Sequence, residues 1–76
     1  MNAVGQKLLR AVKAHYFAEK EKAEAALTVY LNNSVGIGEH PQLVDEMIKL
    51  VNQIHDADGC LETIDKLVKT DIPENK

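Results

Sequence analysis

Eight apolar residues in the second half of the chain recur at alternating intervals of four and three residues. They are Leu43, Met47, Leu50, Ile54, Ala57, Leu61, Ile64 and Val68. This spacing is the a/d seam of a heptad repeat, which places all of them on one stripe of a long helix. The seam runs through Asp58-Gly59, a pair that otherwise favours a turn, and puts Gly59 on the outward side of the helix. The pattern therefore predicts one continuous helix over 41–68.

The first half of the chain carries a rougher version of the same seam, at Leu9, Val12, Tyr16, Glu19, Ala23, Ala26 and Tyr30. Between the two seams lies a segment rich in Asn and Gly, and Pro41 after it suits the first position of a helix. The last residues contain Pro73 and no pattern, so they are expected to fray. We predict a single all-α domain, an antiparallel coiled-coil-like hairpin with a helix over 3–31, a loop over 32–40, a helix over 41–68 and a tail over 69–76.

Folding the chain back at the loop gives an expected pairing of the two seams. Tyr30 then lies beside Leu43, Tyr16 lies beside Ala57, and Lys13 comes near Asp58. Small residues face large ones at several levels of this pairing, as interdigitated packing requires.

A chain of 76 residues seldom supplies enough core on its own, and two helices leave one side of each seam residue uncovered. Leftover apolar residues suggest how the hairpin is completed. The first helix carries a second apolar face, and the second helix has an apolar patch near the loop. We predict that these residues form an oligomer interface, giving a four-helix dimer or a larger homo-oligomer: Ala11, Ala18, Ala25, Val29, Val44, Ile48 and Val51. The alternative is that the alanines simply favour helix.

Composition excludes several classes of protein. The net charge of −3 comes without a clustered basic face, so no nucleic-acid partner is expected. No apolar run approaches the roughly 18 residues that span a bilayer, and the first residues lack the apolar core of a signal peptide. The single cysteine, Cys60, cannot build an intramolecular disulfide framework. These features predict a protein that does not enter a membrane.

The loop offers one candidate ligand site. Gly36, Ile37, Gly38 and His40 precede a predicted helix N-terminus, whose free N–H groups attract anions such as a nucleotide phosphate. No strand precedes this segment and no Lys-Ser/Thr pair follows it, so the pattern is weak. A simple turn explains the glycines equally well, and contact with a partner is a further possibility.

The remaining candidates for chemistry lack companions. His15, Glu19 and Cys60 could supply three zinc ligands, but nothing completes the shell. Cys60 as a nucleophile has no third orienting group. Glu19 is expected to turn outward or to meet a lysine or His55, and Phe17, off the main stripe, is a candidate partner contact. We therefore predict no catalytic residues, no metal site and no cofactor.

The segment over 23–41, read as AEAALTVYLNNSVGIGEHP, resembles small helical-hairpin proteins of tailed bacteriophages, including T4-like phages of marine bacteria. The resemblance covers about residues 23–65. Ser34 stands where that pattern has proline, and Asp58-Gly59 replaces better helix formers. The resemblance implies a phage origin and action in the bacterial cytoplasm, but no activity or site residue. From the unpartnered apolar residues and the lack of catalytic candidates, we predict a non-enzymatic protein that works by self-association and protein–protein contact. In a phage, such a protein would be a host-factor modulator or an assembly accessory.

Overall fold

The structure, a computed structural model, describes residues 1–32 and 42–71. It contains two helices, α1 (Ala3–Asn32) and α2 (Leu43–Asp71), which pack against each other, with no strand in the described ranges. The all-α two-helix fold predicted from the seams is thereby confirmed. The molecule is a rod with principal extents of 60 × 16 × 15 Å. The predicted loop beyond Asn32 and the tail beyond Asp71 lie outside the described residues.

The first turn of α1 is capped by Asn2. Its backbone carbonyl accepts the first helical bond, from the Gln6 amide at 2.9 Å. Its side-chain Oδ1 accepts a second bond from the Gly5 amide at 2.7 Å. The side chain of Asn2 therefore satisfies one of the amide groups that a helix start leaves without an intrahelical partner.

The second helix begins later than the sequence pattern suggests. The Gln42 carbonyl accepts the first bond, from the Glu46 amide at 2.9 Å, and α2 starts at Leu43 rather than at residue 41. Asp45 and Glu46 lie in this first turn, where negative charge complements the positive end of the helix dipole.

Both helices also end later than predicted. Asn32, predicted as loop, is helical, and its Nδ2 donates to the Thr28 carbonyl at 3.0 Å. Residues 69–71, predicted as frayed tail, continue α2. Thr70 Oγ1 donates to the Lys66 carbonyl at 2.9 Å, and Lys69 places a positive charge at the negative end of the helix dipole.

The core follows the predicted seams but is thin. Among the residues whose burial the structure describes, the buried hydrophobic ones are Ala23, Ala57 and Ile64, all of them seam positions. Most other seam residues are half-buried. Val12 and Val68, which the pattern also assigns to the seam, remain 44% and 49% exposed. A pair of helices covers one side of each seam residue, so even correctly placed apolar side chains keep contact with water.

Candidate interaction surfaces

An ion pair joins the two helices and marks one side of the hairpin. Lys20 Nζ lies 2.7 Å from Asp58 Oδ1, with the side chains 30% and 50% exposed. The hydrogen bond with Asp58, and then the attraction of its charge, raise the pKa of Lys20. The predicted neighbour of Asp58 was Lys13, one heptad earlier on the same face of α1. The structure corrects that expectation, because Asp58 pairs with Lys20, which lies closer to the loop than Lys13 does.

We call this side the bridge flank. It comprises Lys20, Asp58, the residues seven or fourteen positions from either of them along the same helix, and the residues one turn from any of these. Residues three, four or seven apart share a helical face. One heptad from the ion pair towards the loop, the equivalent positions are apolar, Leu27 on α1 and Val51 on α2. The flank's apolar side chains near the loop are Leu27, Leu31, Val44, Ile48 and Val51.

The α2 part of this apolar region forms a shallow hollow. The hollow has a volume of about 350 Å³ and is lined by Val44, Met47, Ile48, Val51 and Asn52. Val44, Ile48 and Val51 are 64%, 52% and 53% exposed. Half-exposed β-branched side chains that adjoin one another are typical of a contact surface rather than of scattered surface residues.

The other half of the bridge flank is mainly charged: α1 is basic and α2 is acidic, apart from Lys69 at the end of α2. On α1, away from the loop, Arg10 and Lys13 precede Lys20 on the same face. On α2, Glu62 and Asp65 follow Asp58. All four flanking side chains are exposed, and Phe17, expected to be exposed, lies among the basic ones at 55% exposure.

The opposite side of the hairpin, which we call the cysteine flank, centres on Tyr16 and Cys60. Repulsion between the charged forms of these two groups raises the pKa of Tyr16, and a hydrogen bond with the Cys60 thiol and partial burial raise it further. The His15 ring meets the Tyr16 ring edge to face, with centroids 4.9 Å apart. Tyr16 and Ala57 are among the residues that line one open hollow here, of about 210 Å³.

The residues predicted to form an oligomer interface lie in two groups on different sides of the hairpin. Successive residues of a helix differ by about 100°, so Ala18 and Val29 lie about 200° and 180° from Lys20 around α1. The four α1 residues of that prediction, Ala11, Ala18, Ala25 and Val29, fall on the cysteine flank. The three α2 residues, Val44, Ile48 and Val51, fall on the bridge flank. All seven are exposed, but one partner helix cannot cover both groups at once.

The side chains considered for chemistry are dispersed. Within the described ranges, no three His, Cys, Asp or Glu side chains lie close enough together to hold a metal ion, so His15, Glu19 and Cys60 form no such group. Glu19 Oε2 lies 3.3 Å from Lys22 Nζ, which confirms the expectation that it meets a lysine. The His55 side chain is 86% exposed. Gly36, Ile37, Gly38 and His40 lie outside the described residues.

Two further findings bear on function. Across residues 1–32 and 42–71, neither helix is long and apolar enough to cross a membrane. Comparison with known proteins gives no significant match to a protein-family model, a curated protein or a solved structure.

Sequence reasoning missed the extent of the bridge flank. The seam pattern places Leu27 next to the seam. It does not by itself group Leu27 and Leu31 with Val44 and Val51 on one surface. The heptad numbering contains the missing signal: Leu27, Val44 and Val51 all occupy e positions, and e positions of antiparallel helices face each other. The alanines at 11, 18 and 25 occupy c positions, which point to the other side.

Proposed function

We propose that this protein is a non-enzymatic interaction module that self-associates and works by contact with other proteins. The observation that carries the proposal is the imbalance between buried and exposed apolar side chains. Among residues 1–32 and 42–70, Ala23, Ala57 and Ile64 form the buried core, whereas eleven large hydrophobic side chains are 44% or more exposed.

The architecture supports the same proposal. Within the described ranges, two packed helices alone have no second layer that could cover these exposed apolar side chains. Association therefore offers the hairpin burial that its own chain does not supply.

The site geometry gives catalysis little support. The hollows along the described helices are open to solvent on the outside of a rod, whereas most active sites are concave and exclude water. The Cys60 thiol contacts a tyrosine rather than a base that would activate it.

The biological setting of the proposal rests on the phage resemblance. In a bacteriophage, a small hairpin of this kind would act in the host cytoplasm, either on a host protein or as an accessory to particle assembly. The alternative of anion binding at Gly36, Gly38 and His40 rests on sequence alone.

Size-exclusion chromatography with light scattering, on a dilution series of the full chain, tests the proposal. We expect a species of at least twice 8.4 kDa that persists on dilution to micromolar concentration. A folded 8.4 kDa monomer at all concentrations, with its helical circular-dichroism signal intact, would contradict self-association.

A further inference from the structure

The bridge flank is mainly apolar near the loop, apart from Glu24 beside Lys20, and mainly charged near the chain ends, apart from Phe17. In the charged half, α1 contributes Arg10 and Lys13, and α2 contributes Glu62 and Asp65. A partner that covers the whole flank must therefore be apolar at one end. At the other end it must present acidic groups to α1 and basic groups to α2.

A second copy of this chain meets that description in one orientation. We propose that the bridge flank of one chain packs against the bridge flank of another, around a two-fold axis parallel to the helices, with both loops at the same end. This inference rests on the proposed self-association and names the surface and geometry that produce it. The product is a four-helix bundle in which every neighbouring pair of helices is antiparallel.

The charges support this orientation. A two-fold axis along the rod places α1 of each chain beside α2 of its partner, at the same level along the bundle. Arg10 and Lys13 then lie beside Glu62 of the partner subunit and Asp65 of the partner subunit. The symmetry repeats each of these contacts, so both acidic and both basic clusters are matched.

The apolar half is matched in the same arrangement. Leu27 and Leu31 of one chain face the partner's Val44 and the partner's Ile48, and the hollow beside Met47 and Val51 is filled by leucine side chains. Burial of such side chains is the main source of free energy for association.

The reversed orientation fails on the same residues. With the loops at opposite ends and the rods fully overlapped, Val44 and Ile48 would cover the charged half of the partner. Carboxylates such as Glu62 would lose water without gaining a cation, which is costly.

The cysteine flank offers no comparable match. Its α1 face is a stripe of small residues, Ala11, Ala18 and Ala25, but the neighbouring α2 side chains are Gln53, Asp56 and Thr63. A two-fold pairing there would set alanines against polar groups and bury little area. The cysteine flank is thus the outer surface of the bundle.

A matched pair of substitutions tests which flank is buried. Val51 and Val29 are the same residue type with the same 53% exposure, on the bridge flank and the cysteine flank respectively. We expect Val51→Lys to raise the dimer dissociation constant at least about tenfold, because a charge would enter an apolar contact. Val29→Lys should leave the constant within about twofold, since that side chain stays in water. Circular dichroism of both variants checks that the helices remain formed.

A distance measurement tests the orientation. A spin label is placed at the loop end through Gln42→Cys in a Cys60→Ser background. With both loops together, the two labels should lie within about 35 Å, since neighbouring helices of a bundle are about 10 Å apart and labels add their own length. With the loops apart, the separation would approach the length of α1, whose 30 residues span about 45 Å.

The outcomes separate this inference from the proposed function. A dimer that tolerates Val51→Lys, that is weakened equally by Val29→Lys, or that holds its loop labels a helix length apart overturns the bridge-flank arrangement but leaves self-association standing. A native chain that is monomeric overturns both.

Discussion

Lys20 Nζ and Asp58 Oδ1, 2.7 Å apart, join α1 to α2 and assign a side of the hairpin to every other residue of the two helices. Once this pair is placed, helical periodicity puts Val51 on the same flank and Val29 on the opposite one. Two apolar groups that look equivalent in the sequence thereby acquire different positions, one on the flank that we propose for self-association and the other on the opposite flank.

The first prediction concerns this ion pair. Lys20→Met should weaken the hairpin slightly at neutral pH, because Asp58 loses its partner, and high salt should reduce the difference because both groups are partly exposed. Asp58 raises the pKa of Lys20 in the folded chain. The stabilisation is therefore complete below the ordinary lysine pKa and is lost as the pH rises through the raised value. Urea unfolding of both proteins from neutral to strongly alkaline pH measures this convergence, and a gap that widens with pH would contradict it.

Overpacking at the buried seam is the second prediction. Ala23 is 1% exposed, so Ala23→Leu should cost about 1–3 kcal/mol of unfolding free energy. Ala25→Leu, two residues away and exposed, should change stability by less than about 0.5 kcal/mol. Thermal and urea unfolding at one fixed protein concentration compares the two. Equal effects would show that Ala23 does not face α2.

The third prediction uses the glycine inside α2. A Cβ at Gly59 would have no neighbouring atom within 4 Å, and the position is helical. Gly59→Ala should therefore stabilise the protein by about 0.5–1 kcal/mol, because alanine loses less backbone entropy on folding. Gly5→Ala makes the comparison, since its Cβ would lie 2.9 Å from Met1 Cγ and require that side chain to move. Destabilisation by Gly59→Ala in chemical unfolding would indicate a break in the helix.

The fourth prediction concerns the cap of α1. Asn2→Ala removes the acceptor of the Gly5 amide and should cost about 0.5–2 kcal/mol. Asn52→Ala provides the control, because Asn52 is exposed and well inside α2. Amide hydrogen exchange in the first turn of α1 should rise in Asn2→Ala alone. Unchanged exchange there would show that the cap adds nothing.

The fifth prediction concerns the pair on the cysteine flank. Cys60→Ala removes the thiol whose charge repulsion and hydrogen bond raise the pKa of Tyr16, so that pKa should fall towards its ordinary value of 10.0. A spectrophotometric titration of tyrosinate resolves the change, with Tyr16→Phe identifying the remaining Tyr30 signal. Titration curves that coincide with and without Cys60 would show that the two groups do not interact.

The sequence predicts the two helices because their seams depend on a local spacing that is repeated seven or eight times. The continuity of α2 through Gly59 and the partner of Glu19 follow from the same helical periodicity. The start of α2 at Leu43 and the cap at Asn2 were not predicted, because competing caps at helix ends differ by small free energies. The heptad pattern also could not predict that Asp58 pairs with Lys20 rather than with Lys13. Both lysines occupy the same heptad position and differ only in how far along α1 they lie.

The candidate site was predicted residue by residue but not as a surface. Ala18 and Val51, both predicted as interface residues, are exposed in the single chain, but the pattern alone did not show that their heptad positions point to different sides of the hairpin. A surface depends on how two helices face each other, and that relationship is fixed by contacts such as Lys20–Asp58 rather than by composition.

The most direct test of the account compares the methyl groups of Val51 and Val29 in the native protein. Their equal exposure in the single chain makes each the control for the other. A soluble paramagnetic probe should broaden the Val29 methyl signals at every protein concentration. Val51 should be shielded at high concentration and become accessible on dilution. Equal broadening of both residues at high concentration would contradict the claim that the bridge flank is where this hairpin associates.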